Sequence, residues 1–101
     1  MMILDIMAFG AHPDDCEFSM GGTLLHLKSL SYKVGVCDLT RGEAGTYGDT
    51  DTRKAELDRA SALLGLDARE TLDIPDGNIR DSEENRRKII GEIRIIQMRV
   101  R

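Results

Sequence analysis

The feature that most constrains the fold is a mostly apolar run over residues 3–10, which ends in glycine and leads directly into His-Pro-Asp-Asp at residues 12–15. A run of this length and composition is typical of a strand buried on both faces of a parallel sheet. In open α/β sheets, ligands bind outside the carboxyl ends of the strands. Residues 12–15 are therefore the first candidates for a functional site.

Helices and strands are predicted to alternate along the rest of the chain. Leucines at helical spacing predict a helix over residues 20–30 capped by Ser19, and residues 33–39 are typical of a second strand. A helix between two strands favours a right-handed βαβ crossover. A third stretch predicts a helix that is capped by Thr50 or Asp51 and ends at Leu64, with Gly65 as its stop. A short strand over residues 69–74 and a turn at residues 75–77 are predicted to follow. The last predicted helix begins at Asp81 or Ser82, and its apolar face consists of Ile89, Ile93, Ile96 and Val100. The predicted fold class is α/β, a Rossmann-like parallel sheet with helical crossovers.

His12 and Asp15 are the candidate metal ligands. An imidazole nitrogen and a carboxylate oxygen three positions apart can turn to one side of a tight loop, and Pro13 stiffens the backbone between them. A site with these ligands and an open position suits zinc, which lowers the pKa of its water to about 7. Asp14 lies between the ligands and is the candidate general base. The same residue types are common in solvated turns, so the spacing leaves that alternative open.

Two groups of glycines invite a functional interpretation. Gly21 and Gly22 lower helix propensity near the predicted start of the first helix, so we expect the backbone there to approach either a ligand or a packed neighbour. Gly42, Gly45 and Gly48 have a spacing that superficially suggests phosphate binding. The Lys-Ser/Thr of a P-loop is lacking and the dinucleotide fingerprint does not match. We interpret this segment as a loop beside the metal rather than as a nucleotide site.

Several motifs together resemble a known family. The segment 11–15, Glu17 and the Gly-Gly-Thr at residues 21–23 resemble the signature of the LmbE-like zinc N-deacetylases, the superfamily that includes the GlcNAc-phosphatidylinositol de-N-acetylases. Further segments resemble the bacterial branch that deacetylates N-acetylglucosaminyl malate in bacillithiol synthesis: residues 38–46, Arg53 with Glu56, Leu64-Gly65 and Pro75-Asp76-Gly77. The resemblance runs along nearly the whole chain.

The resemblance implies a zinc-dependent amide hydrolase that removes acetyl from a small amino-sugar conjugate. Arg53 falls on the family's substrate-contacting arginine and would hold an anionic group such as malate. Glu43 lies in the segment that flanks the family's substrate pocket and is a second candidate for substrate binding, and Asp76 is a candidate for the pocket rim.

Arg53 is also unusual on physical grounds. It lies in the first turn of a predicted helix, where the positive end of the helix dipole disfavours a cation. Nearby acids at positions 49, 51 and 56 could compensate as a local ion pair, and so could a bound substrate. The resemblance favours the substrate.

Composition excludes several classes of protein. The net charge of −4 and the pI of about 5.1 give no reason to expect nucleic-acid binding. No basic leader precedes the first apolar run, which is too short to span a bilayer, so no membrane contact is expected. The cysteines, Cys16 and Cys37, form no CxxC pattern and indicate a reducing compartment, hence a cytoplasmic protein. Cys16 is either a thiolate ligand or a semi-buried packing thiol.

The chain departs from the family where the resemblance implies a second, His-rich motif with a third zinc ligand. His12 and His26 are the only histidines in the sequence. We therefore expect residues 1–101 to be the amino-terminal part of a single deacetylase domain, truncated, with weak metal binding and little turnover. The alternative is a non-catalytic fragment, or a module that pairs through its open sheet edge with another chain, including a second copy.

Overall fold

The computed structural model describes residues 2–43 and 50–98. Helices and strands alternate after a short strand at the amino terminus, which confirms the predicted α/β class. The elements are β1 Met2–Leu4, β2 Ile6–Gly10, α1 Asp15–Ser29, β3 Val34–Asp38, α2 Thr50–Leu64, β4 Ala68–Thr71, α3 Glu83–Ile95 and β5 Ile96–Met98. Among these helices, none is long and apolar enough to cross a bilayer.

All the strand pairs are parallel, and they set where a site can form. β2, β3 and β4 lie side by side in sequence order, whereas β1 pairs with β5, which comes last. The two groups form separate sheets, and in open parallel sheets ligands bind outside the carboxyl ends of the strands. The loop after β2 lies there.

The predicted single strand over residues 3–10 is wrong in one respect, because Asp5 divides it into β1 and β2. The backbone N–H groups of Asp5 and Ile6 both donate to the carbonyl of Lys33, at 2.8 and 3.1 Å, so Asp5 and the first residue of β2 share one acceptor, as in a β-bulge. Burial on both faces is wrong as well, since Ile3 is 46% and Phe9 39% exposed. In β3, by contrast, every residue is buried.

The core lies between α1 and the strands β2 and β3. It is formed by the buried residues Ala8, Cys16, Leu24, Val34 and Val36. Both cysteines are buried and free of disulfides. Burial raises the pKa of the Cys37 thiol to about 12 and raises that of Cys16 as well, so both behave as packing thiols.

Helix α1 begins at Asp15, five residues before the predicted start. Asp14 occupies the N-cap with φ 82°, and its carbonyl accepts the Phe18 N–H at 2.9 Å. Gly21 and Gly22 consequently lie in the helix interior, where an added Cβ would meet no atom within 4 Å. The expectation of a tightly packed neighbour is therefore wrong for the described part of the chain.

The later elements match their predictions to different degrees. α2 ends at Leu64 as predicted, with Gly65 at φ +68° in the left-handed conformation of a helix stop. Thr50 lies inside this helix rather than capping it. The third predicted strand is shorter, Ala68–Thr71.

Helix α3 begins at Glu83, because the Ser82 hydroxyl caps it by accepting the Asn85 N–H at 3.1 Å. Its predicted apolar face is only partly buried, with Ile93 42% exposed. Ile96 does not belong to the helix, since the chain turns there into β5.

Candidate functional site

The loops that follow β2 and β3 are tied together by the backbone. Leu39 N–H donates to the carbonyl of Gly10 at 2.8 Å, and Thr40 donates to the carbonyl of Ala11 from both its N–H and its hydroxyl, at 3.1 and 2.9 Å. Thr40 is fully buried. Because these bonds continue the sheet beyond the strands, the loop that carries His12 has a fixed position.

His12 and Asp15 face each other across this loop, as the sequence predicted. The Nδ1 atom of His12 lies 3.4 Å from the Oδ2 atom of Asp15, and the two side chains are 45% and 44% exposed. The same carboxylate oxygen accepts the backbone N–H of His12 at 3.0 Å. Both side chains can therefore reach a ligand that enters from solvent.

The distance between the two donor atoms of this pair fits a zinc ion. Two ligand atoms that each lie about 2.0–2.1 Å from a tetrahedral zinc are about 3.3–3.4 Å apart. The separation of 3.4 Å between the two donor atoms corresponds to this spacing. Within residues 2–43 and 50–98, however, no group of three or more His, Cys, Asp and Glu side chains could hold a metal ion together.

Asp76 holds the other nitrogen of the same imidazole ring. Its Oδ1 atom lies 2.7 Å from Nε2 of His12, and its side chain is only 8% exposed. The hydrogen bond with Asp76 is the main cause that raises the pKa of His12, and the charge of Asp15 adds to it. Position 76 was expected only at the rim of the pocket, yet it contacts the candidate ligand directly.

Asp14 lies at the point where the loop becomes α1. Its φ of 82° is in the left-handed region, where aspartate is tolerated better than most residues. Partial burial raises the pKa of its carboxyl, and the negative charges of Asp15 and Glu17 act in the same direction.

A cavity of about 360 Å³ adjoins this loop, and Pro13 forms part of its wall. The charged residues of its lining are Arg41, Arg53, Lys54 and Arg69 and one acid, Asp58, whose Oδ2 atom lies 3.6 Å from Nζ of Lys54. Arg53 also donates a hydrogen bond from Nη1 to the carbonyl of Gly42. Asp49, one of its predicted partners, lies outside the described residues, as does the rest of the glycine-spaced loop through Gly48.

Glu43 contacts the turn after β4. Its Oε2 atom accepts the backbone N–H of Asp76 at 2.9 Å, and this hydrogen bond lowers the pKa of its carboxyl. In the described structure, Glu43 thus supports the residue that binds His12.

Beneath the site lies a cluster of buried charges that the sequence analysis missed. Arg69 on β4 donates to both oxygens of Asp38, at 2.8 and 3.0 Å, and to Glu17 on α1 at 2.8 Å. Asp38 is fully buried and also accepts the Thr71 hydroxyl at 3.3 Å. The available signal was an acid at the end of a completely apolar strand, since a buried charge requires a partner.

The comparisons with known proteins agree on the family. The sequence model of the PIG-L family, described as GlcNAc-PI de-N-acetylase, matches residues 7–100. The chain is 30% identical over 96 residues to the diacetylchitobiose deacetylase of Thermococcus kodakarensis, which covers 88% of the chain and 36% of that relative.

Two solved structures have the same fold over most of the chain. A conserved protein from Thermus thermophilus matches with a TM-score of 0.87 and 42% identity, covering 91% of this chain and 42% of the other. The N,N'-diacetylchitobiose deacetylase from Pyrococcus horikoshii matches with a TM-score of 0.81 and 26% identity, covering 90% and 37%.

The chain thus spans well under half the length of these relatives. The match to the sequence model nevertheless extends from β2 to the end of the described residues and beyond. The chain belongs to the PIG-L family of GlcNAc-PI de-N-acetylases.

Proposed function

We propose that this chain provides the metal-binding pair, the general base and part of the substrate pocket of a zinc-dependent N-deacetylase. Deacetylases of this family are generally metal-dependent. The observation that carries the proposal is the separation of 3.4 Å between Nδ1 of His12 and Oδ2 of Asp15 at the carboxyl end of β2. Catalytic zinc takes three protein ligands, so one further donor must come from outside the described residues.

The reaction is the hydrolysis of an acetamide. When bound, zinc would polarise the amide carbonyl and promote ionisation of water. Asp14 takes a proton from the water that attacks the carbonyl carbon, and it delivers this proton to the leaving nitrogen as the C–N bond breaks. The products are acetate and a free amine.

The substrate that we propose is an N-acetylglucosaminyl conjugate with an anionic group, such as N-acetylglucosaminyl malate in bacillithiol synthesis. The cationic cavity supports this choice, because Arg41 and Arg53 line it together with Pro13, which belongs to the loop that carries the metal-binding pair. A guanidinium can bind a carboxylate with two hydrogen bonds, as Arg53 would do with malate. We place the reaction in the cytoplasm, which suits two buried thiols that form no disulfide.

The test is the release of acetate from N-acetylglucosaminyl malate, with diacetylchitobiose and GlcNAc-phosphatidylinositol as competing substrates. Two zinc-loaded proteins are assayed. The first is the chain itself, and the second is the longest protein that contains this sequence. We expect slow turnover by the former and a preference for the malate conjugate by the latter. Equal rates on all three substrates would show that the cationic cavity does not select an anionic substrate.

The matched variants are Asp14→Asn and Glu83→Gln. Asparagine tolerates the left-handed backbone of position 14, so the fold is retained while the base is lost, and we expect a decrease in turnover of about 10²–10⁴-fold. Glu83 lies on α3 with its side chain 72% exposed, paired only with Arg87 in the same helix. The proposed role of Asp14 is wrong if the two variants release acetate at the same rate.

The alternative, a non-catalytic module that pairs through a sheet edge, is less well supported. Among the described strands, β4 forms one edge of the three-stranded sheet and has only four residues, of which Arg69 and Glu70 are charged. β5, at the edge of the two-stranded sheet, has only three residues. Short, charged edge strands disfavour the addition of a further strand. Sedimentation velocity tests this alternative, which predicts a dimer or a larger species.

A further inference from the structure

Asp76 lies 64 positions from His12 in the sequence, yet the two side chains form a hydrogen bond of 2.7 Å. An ionised carboxylate can only accept hydrogen bonds, so the proton between them belongs to Nε2 of His12. A neutral imidazole with its proton on Nε2 has its lone pair on Nδ1. That is the nitrogen which faces Asp15.

The position of Asp76 is itself fixed by its surroundings. Its backbone N–H donates to Glu43 at 2.9 Å, and its turn is closed by the hydrogen bond from Asn78 N–H to the carbonyl of Pro75 at 3.0 Å. The turn also needs Gly77, whose φ is +81°. The loops after β2, β3 and β4 thus meet at this one residue, the first through its carboxylate and the second through its backbone N–H.

The exposed fractions of the two side chains indicate that Asp76 orients His12, and not the reverse. The Asp76 side chain is 8% exposed and that of His12 45% exposed. Asp76 therefore belongs to the protein matrix, whereas the ring of His12 projects from it toward solvent. A carboxylate placed in this way orients the ring and selects its tautomer.

The geometry points to Asp76 as a positioning residue, which fixes His12 in the Nε2–H tautomer and so presents Nδ1, together with Asp15, to a divalent cation. This inference rests on the proposed function for the identity of that cation. It concerns the free ring, so it can be tested without metal and without substrate.

The first measurement is the tautomer of His12 in the metal-free chain. Because the sequence has only two histidines, long-range ¹H–¹⁵N correlation spectra of ¹⁵N-histidine-labelled protein resolve each ring, and the exposed His26 serves as the internal reference. At a pH where the rings are neutral, we expect wild-type His12 to be the Nε2–H tautomer. A wild-type His12 that carries its proton on Nδ1 overturns the inference, and this result needs no variant.

The variants are Asp76→Ala, Asp76→Asn and, as a control, Asp73→Ala. Alanine removes the acceptor, so we expect its His12 ring to show the same mixture of tautomers as His26. Asparagine retains an acceptor oxygen and is expected to restore the Nε2–H tautomer. Asp73 lies in the same connection between β4 and α3 and pairs with Lys88 at 3.1 Å, so its removal takes away an equal charge without touching His12.

The second measurement is zinc affinity, by calorimetric titration of the chain with zinc chloride. We expect Asp76→Ala to bind zinc about 10–100-fold more weakly than wild type, Asp76→Asn to lose less, and Asp73→Ala to match wild type. Unchanged affinity or an unchanged tautomer in Asp76→Ala overturns the inference. Failure of acetate release alone contradicts only the proposed function, because neither measurement uses substrate.

Discussion

Two clusters of charged side chains each include a residue from the first turn of α1, Asp15 in one and Glu17 in the other. They differ in how many of their hydrogen-bonding atoms already have partners within the chain. In the buried cluster, the side chains of Arg69, Asp38 and Glu17 are 10%, 0% and 16% exposed. In the open pair, those of His12 and Asp15 are 45% and 44% exposed, and their facing atoms are 3.4 Å apart, longer than a good hydrogen bond.

The difference distinguishes a cluster that stabilises the fold from a pair that can bind a ligand. Arg69 donates three hydrogen bonds to two carboxylates, and these raise its pKa further despite burial, so it stays charged and occupied. A cluster satisfied in this way joins α1, β3 and β4 but has little left to offer a ligand. The open pair has unused lone pairs on accessible atoms. The buried cluster therefore anchors the start of α1, which carries Asp15, one of the two candidate metal ligands.

The largest effect on stability is expected for Arg69→Met. Removal of the cation leaves Asp38 fully buried without its main partner, and breaking a buried ion pair from one side costs about 3–5 kcal/mol. The free energy of unfolding, measured with urea, should decrease by this amount.

Arg87→Met is the matched control. Arg87 pairs with Glu83 at 2.6 Å on the surface of α3, where both side chains are more than 70% exposed. Such pairs contribute about 0–1 kcal/mol. If both variants lose the same stability, the buried cluster has no special structural role and the comparison fails.

The helices and strands, and the residues that follow the first strand, could be predicted from the sequence. Apolar runs and helical spacing located the elements, since these periodicities follow from local geometry. His12 and Asp15 were proposed as metal ligands because they follow a strand directly, and the carboxyl ends of parallel strands meet at one edge of a sheet.

The buried cluster and the contact of Asp76 with His12 could not be predicted in this way, because they join positions that are distant in the sequence. Arg69 and Glu17 are 52 positions apart, and Asp76 and His12 are 64 apart. The start of α1 was missed for a different reason. Asp14 takes a left-handed conformation, which lets the helix begin directly at Asp15, whereas sequence rules favoured Ser19 as the cap.

A smaller gain in stability is expected for Gly22→Ala. Position 22 is in the interior of α1 with no atom within 4 Å of an added Cβ, and alanine is about 0.5–1 kcal/mol more favourable than glycine in a helix. Thermal unfolding should show the gain, and zinc affinity should not change. Gly91→Ala on α3, which is equally open and carries neither cluster, is the control. A change in zinc affinity with Gly22→Ala alone would mean that the stiffness of α1, rather than its anchoring by Arg69, positions the open pair.

The smallest effect is a pH dependence confined to the open pair. The hydrogen bond with Asp76 raises the pKa of His12 in the folded, metal-free chain above its value of about 6.5 in the unfolded chain. Its contribution to stability is therefore complete below the unfolded pKa and is lost as the pH rises through the folded pKa.

Urea unfolding of wild type and His12→Gln measures this contribution as a difference. We expect the stability advantage of wild type to be larger at about pH 5.5 than at about pH 8.5 by less than about 1 kcal/mol, because the ring is half exposed and solvent screens its charge. The hydrogen bond from the neutral ring to Asp76 remains at the higher pH. Arg69 keeps its charge throughout this range, so the buried cluster contributes no matching change through its cation. A difference between wild type and His12→Gln that does not vary with pH would show that Asp76 holds the ring equally well in both protonation states. The open pair would then resemble the buried cluster more than its exposure suggests.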